Sequence, residues 1–184
     1  MFFPQHSTET ATTSIFAIIN RLFARKKNVI LVTLDISAAF HLLEKSILIP
    51  KLWAHGFPER IISIYDDFLS DRKAVVQVGE SISDPFDQEV GCVHGSPSGL
   101  LLFSLLVNNV GQALNLGKIV CCADDSYLIF EGDSWDEVCK TACAETTNVV
   151  DRLQDIGMVV NSSKTEAMYF SNHDQVGLIL KWAP

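Results

Sequence analysis

Lys118-Ile119-Val120-Cys121-Cys122-Ala123-Asp124-Asp125-Ser126-Tyr127-Leu128-Ile129-Phe130 is the stretch that decides the fold. Two runs of apolar and β-branched residues flank a pair of adjacent carboxylates, which predicts two antiparallel strands joined by a tight turn. A surface hairpin turn also favours Asp for local reasons, because its side chain bonds nearby backbone. Adjacent carboxylates repel each other, and apolar flanks raise the cost of charging them unless a divalent cation neutralises the pair. Mg²⁺ suits that role, because it is hard, prefers oxygen ligands and shares its coordination between a few carboxylates and substrate phosphates.

A second segment supplies a further acid. Asn28-Val29-Ile30-Leu31-Val32-Thr33-Leu34 predicts a buried strand, and Asp35 stands at its end, just before Ile36-Ser37-Ala38-Ala39-Phe40. A charge there has no place in a core. Acids at the ends of neighbouring strands can hold a pair of Mg²⁺ ions, which activate a 3′-hydroxyl and stabilise a leaving pyrophosphate in nucleotidyl transfer.

Composition sets the frame for these motifs. The 184 residues, 48% hydrophobic and 20% charged, predict one folded domain with a sizeable core. A net charge of -8 opposes an unaided grip on a phosphate backbone, which depends on Lys and Arg. The clusters Arg21 with Arg25-Lys26-Lys27, and Arg72-Lys73, are small and read as solvated helix ends or strand edges. No apolar run reaches membrane-spanning length and no signal-peptide pattern opens the chain, so the expectation is an intracellular protein of cytoplasm or nucleus with no membrane partner. Cys92, Cys121, Cys122, Cys139 and Cys143 form no CxxC pair and no disulfide framework. The histidines show no metal-site spacing, and His6, His55 and His173 read as surface or packing residues.

Along the chain, helices are predicted over Thr12–Lys27, with Ile15, Ile18, Ile19 and Leu22 on one side, over Lys45–His55 and over Glu59–Leu69. Gly56-Phe57-Pro58 separates the last two. Ala74–Val78 and Phe86–Val90 predict one antiparallel hairpin around Gly79–Pro85, and Leu100–Val107 a buried helix. Ser134 with Glu137 is a capping-box pattern opening a long helix that ends before Gly157; Met158–Val160, Glu166–Phe170 and Val176–Trp182 are strand material.

Taken in order, Leu34-Asp35-Ile36-Ser37-Ala38-Ala39-Phe40, Gly91-Cys92-Val93-His94-Gly95-Ser96, Cys122-Ala123-Asp124-Asp125 and Gly157-Met158-Val159-Val160-Asn161-Ser162-Ser163-Lys164-Thr165-Glu166 resemble the palm of a reverse transcriptase. The nearest likeness is to non-LTR retrotransposon polymerases of the LINE or jockey type, and Gln5–Ala11 resembles the stretch those enzymes carry ahead of the first catalytic strand. The resemblance implies an α+β fold: a polymerase palm whose antiparallel, ferredoxin-like sheet has helices packed on one face, with partial fingers and no thumb. It implies a single reverse transcriptase-like domain over 1–184, with 1–34 a remnant of fingers and first palm strand, 35–170 the palm core and 171–184 a truncated C-terminal strand.

Function follows from the same resemblance. It implies an RNA-directed DNA polymerase extending a primer 3′-hydroxyl with deoxynucleoside triphosphates, on an RNA template and DNA primer. Asp35, Asp124 and Asp125 would be catalytic and hold Mg²⁺, with Mn²⁺ as a substitute; Asp35 and Asp124 are the stronger ligands. Ile36, Ser37, Ala38 and Ala39 would offer backbone amides to the triphosphate, and Phe40 would stack under the incoming sugar. Core packing is the alternative for Phe40, and a helix N-cap, followed by Pro97, the alternative for Ser96. Gly95 and Ser96 otherwise resemble a loop lying against template and nucleotide, and Lys164 a lysine that neutralises or protonates pyrophosphate; an exposed turn lysine is the alternative for Lys164.

Several positions depart from the family pattern. His41 stands where an Asp is usual, Val93-His94 where Pro-Gln is usual, and Cys122 where an aromatic is usual. The rival expectation is therefore a catalytically inactive retroelement-derived protein acting, if at all, through protein contacts. Another palm-type nucleotidyltransferase, such as a cyclase, is a third, against which the Gly-Ser loop and the Asn-Lys segment speak.

Overall fold

Asn-Val-Ile-Leu-Val-Thr-Leu-Asp-Ile-Ser forms strand β1, Asn28–Ser37, in which Val29, Ile30, Leu31, Val32, Leu34 and Ile36 are all buried. A strand covered on both faces belongs in the middle of a sheet, and there it lies. The computed structural model describes residues 8–37, 39–92, 96–122, 125–170 and 177–181. These fall into two compact units, Met1–Ser37 with Val107–Pro184, and Ala38–Leu106.

In the first unit, β1 pairs antiparallel with β7 (Asp125–Gly132) on one side and with β9 (Glu166–Phe170) on the other. β6 (Lys118–Cys122) extends the sheet beyond β7, β10 (Gly177–Lys181) beyond β9, and β8 (Val159–Val160) pairs with Ile36 and Ser37 at the end of β1. Alternation along each strand divides the apolar residues between two faces. Val29, Leu31 and Ile129 meet Ile15, Ile19 and Leu22 of helix α1, Thr8–Ala24. The helix ends three residues earlier than its apolar pattern predicts, because Lys26 takes a left-handed φ of 56° and Lys27 N–H turns back to the Leu22 carbonyl. The basic cluster here is partly committed, with Lys27 Nζ 2.6 Å from Asp133.

The opposite face carries Ile30, Leu128 and Phe130 and lies against helix α5, Trp135–Gln154. Ser134 caps that helix by accepting from Glu137 N–H, as the capping-box pattern predicts, while the Glu137 carboxylate accepts from Asp133 N–H, one residue before the cap, rather than from Ser134 N–H. Within α5, Val138, Ala142, Glu145, Val149 and Leu153 are buried at helical spacing. Glu145, only 6% exposed, accepts from the backbone N–H groups of Asn115, Leu116 and Gly117 at 3.2, 2.9 and 2.8 Å, and so fixes the chain that enters β6. Gly117 is required for this approach: a Cβ there would lie 2.5 Å from the Phe130 ring and 3.1 Å from Glu145 Oε2. Gly117→Ala is expected to cost about 1–3 kcal/mol through overpacking, read as a lower urea midpoint.

The second unit holds helices α2 (Lys45–Ala54), α3 (Glu59–Leu69) and most of α4 (Pro97–Val107). Gly56, at φ 74°, and Pro58 break α2 from α3 where the sequence predicts a break. The predicted antiparallel hairpin forms over 73–87, as two nested short ladders whose registers differ by one residue. β2 (Lys73–Ala74) pairs with β5 (Phe86–Asp87), and β3 (Gln77–Val78) with β4 (Ser81–Ile82). Gly79, at φ 61°, turns the tip early, and Ser83 bonds Val76 through both N–H and Oγ. Val75, Val76, Val78, Ile82 and Phe86 are exposed, so no buried face enforces a long register.

Candidate active site

The end of β1 and the start of β7 bring acids together. Asp35 and Asp125 are Cα partners in the antiparallel ladder, so their side chains leave the same face of the sheet. Cys122 pairs with Asp125 from the next strand, and Thr33 with Tyr127 lies one step below. The apolar cluster under α1 reaches Val120 and Tyr127, while Asp125 above it is exposed. The Tyr127 hydroxyl is pushed above its ordinary pKa, first by burial, then by the negative charge of Asp125 and by Cys122.

The segment after β8 completes the surroundings of Asp35. Asn161 N–H donates to the Asp35 carbonyl at 2.8 Å. The Asn161 side-chain oxygen accepts from Ser163 N–H and Oγ, and its backbone carbonyl accepts from Lys164 N–H, Thr165 N–H and Thr165 Oγ1. This turn carries Lys164 Nζ to 3.7 Å from Asp35 Oδ2, with side-chain exposures of 67% and 31%. Thr33 Oγ1 donates to the Glu166 carbonyl at 3.2 Å and ties β9 to the same end of β1.

Asp35, Asp125 and Lys164 therefore lie together. Ile36 is buried and Ser37 half-buried, both paired with β8. Asp124, Ala38 and Gly95 fall outside the described residues, as do Val93 and His94. Ala39, Phe40 and Ser96 belong to the second unit. There Ala39 is buried, and the Phe40 ring lies 5.4 Å from that of Phe103, which satisfies the packing role. Ser96 accepts from Ser98 N–H through its hydroxyl at 3.2 Å, the N-cap role. The loop before it is tight at Gly91: φ is 93° and a Cβ would meet the His41 carbonyl oxygen at 3.0 Å. Gly91→Ala is expected to destabilise by about 1–3 kcal/mol, measurable by thermal unfolding.

Among the described residues no three His, Cys, Asp or Glu side chains gather as a metal-holding cluster. What the structure presents is a pair of carboxylates on one face, a hard oxygen donor set that fits Mg²⁺ and needs further ligands to complete it. The turn built on Asn161 and the shared face of Thr33 and Tyr127 were not singled out from sequence. Period-two spacing from Asp35 back to Thr33, and from Asp125 on to Tyr127, was the signal for the latter.

The family model for reverse transcriptase (RNA-dependent DNA polymerase) matches residues 1–179. The chain belongs to the reverse transcriptase family. No curated protein matches it by sequence. Among solved structures, it is similar to apo telomerase from Candida tropicalis truncated of its C-terminal domain, with a TM-score of 0.68 and 18% identity over 90% of this chain and 36% of that one. It is also similar to telomerase from Candida tropicalis in complex with a TWJ fragment of telomeric RNA (TM-score 0.68, 15% identity, 89% of this chain and 30% of that one). The corresponding Candida albicans complex gives a TM-score of 0.65 and 15% identity, over 88% of this chain and 30% of that one. The reverse transcriptase chain thus spans about a third of the length of these telomerases. Its fold is the expected α+β arrangement around an antiparallel sheet, with helices on both faces, α1 on one and α5 on the other, where one covered face was expected. Among the described residues no helix is long and apolar enough to cross a membrane.

Proposed function

We propose that this chain is the palm of an RNA-directed DNA polymerase of the non-LTR retrotransposon type, extending a DNA primer on an RNA template with deoxynucleoside triphosphates. The observation that carries the reading is the in-register pair Asp35 and Asp125 at one end of a reverse transcriptase-family sheet. Asp35 and Asp125, with Asp124 next to Asp125 in sequence, would hold Mg²⁺, which supplies Lewis-acid stabilisation of phosphoryl oxygens and a more acidic 3′-hydroxyl. Ile36 to Ala39 would present backbone amides to the triphosphate, Phe40 would meet the sugar, and Gly95 and Ser96 would lie along template and nucleotide. The telomerase relatives bound to RNA are consistent with a template partner.

Primer extension on an RNA template, with Mg²⁺ and all four deoxynucleotides, tests this. Expected is weak extension by the wild-type chain that Asp35→Asn abolishes. Extension that survives Asp35→Asn would sink the assignment.

A second reading, a catalytically inactive retroelement-derived protein, is favoured by His41, Val93, His94 and Cys122 at positions where the family pattern differs, and by the net charge of -8. Either way, affinity for a primer-template duplex is expected to be low, with a Kd of about 10⁻⁴ M at physiological salt, by fluorescence anisotropy. Tight binding would show that the acidic balance conceals a basic track. Complete absence of extension, in a folded chain that still binds Mn²⁺ through Asp35, would decide for the inactive reading.

A further inference from the structure

A metal-free pair of neighbouring carboxylates carries an electrostatic cost, and the first unit contains a cation placed to offset it. Lys164 Nζ stands 3.7 Å from Asp35 Oδ2. Its position is set by a turn bonded at both ends. Asn161 N–H holds the Asp35 carbonyl at 2.8 Å, so the turn is anchored to the residue whose side chain the lysine faces. The Asn161 Oδ1 atom accepts from Ser163 N–H at 3.1 Å and Ser163 Oγ at 2.6 Å, closing an Asx turn just before the lysine. The Asn161 carbonyl then takes Thr165 Oγ1 at 2.9 Å, and Thr165 is fully buried, which fixes the far side. One asparagine thus determines where the Lys164 backbone sits relative to Asp35.

We propose that Lys164 is the built-in counter-cation of Asp35 in the metal-free chain, and that Asn161 is the positioning residue that keeps it there. A divalent ion then gains Asp35 by displacing the ammonium. This rests on the reading of Asp35 as a metal ligand. Because Lys164 is 67% exposed, the ion pair is weak and exchangeable: it lowers metal affinity without blocking the site.

Mn²⁺ titration followed by electron paramagnetic resonance tests the proposal. Lys164→Gln is expected to tighten Mn²⁺ binding about two- to fivefold, the range of an exposed ion pair. Asn161→Ala should tighten it in the same direction. The double variant should match Lys164→Gln alone, because Asn161 acts through the lysine. A merely structural Asn161 would instead weaken Mn²⁺ binding equally in both backgrounds, and that result overturns its positioning role. Affinity unchanged or weakened in Lys164→Gln overturns the proposal as a whole; this exposed substitution carries the test even if Asn161→Ala does not fold. Failure of the metal reading looks different: Mn²⁺ binding absent from the wild type, or unaffected by Asp35→Asn, overturns both together.

Discussion

Asp35→Asn is expected to reduce Mn²⁺ affinity and templated extension by about a hundredfold or more, while leaving the melting temperature of the metal-free chain nearly unchanged. Removing even an outer-sphere partner of a metal ligand typically costs about 10- to 100-fold, and a ligand itself should cost no less. The fold should tolerate the change for three reasons. The asparagine keeps the volume, the Asp35 backbone carbonyl stays bonded to Asn161, and the lost contact with Lys164 is a half-exposed ion pair. The measurement is a pair of curves, Mn²⁺ titration and thermal unfolding in chelator. A large fall in stability with metal binding intact would make Asp35 a structural acid and remove it from the site.

Glu145→Ala should have the largest effect on stability among polar substitutions in the first unit. The carboxylate is buried and accepts three backbone N–H groups, a charge-assisted set that no other side chain present can replace. Asn115 and Leu116 are exposed, so water recovers part of what is lost, and the net cost is about 3 kcal/mol. For a chain of 184 residues that corresponds to a fall in Tm of about 6–12 °C. Glu145→Gln keeps one acceptor oxygen and should lose about half as much. A fall of only a degree or two for Glu145→Ala would mean that the Asn115–Gly117 segment is held mainly by its neighbours.

The same glutamate shows where reading from sequence stops. Val138, Ala142, Val149 and Leu153 are visible as the apolar stripe of a helix, and Glu145 falls on that stripe by spacing alone. Its charge disguises it, because the partners that make burial tolerable are backbone amides near residue 116, which no side-chain pattern reveals. β1, β6 and β7 were legible because β-branched runs bounded by acids have few alternatives, and the facing of Asp35 and Asp125 follows once the register is known. The link from Asn161 to Asp35 was not legible. It is a main-chain bond across the sheet, and only the asparagine's local turn leaves a trace in sequence. The 74–90 hairpin was legible, but its break into two nested ladders was not, because alternation without burial does not fix a register.

The position of β1 also shapes how the protein is made. This apolar strand is translated well before its ladder partners, which begin only at Asp125 and continue to Phe170. At about 5–20 residues per second, on the order of ten seconds separates Ser37 leaving the ribosome from the arrival of β7. During that interval Val29 to Leu34 has no strand in the described sheet to pair with, and α1, the apolar partner already synthesised, is the element able to shield one of its faces. A ribosome stalled before Asp125 should therefore carry a nascent chain that recruits chaperones, whereas one stalled well beyond Phe170 should not.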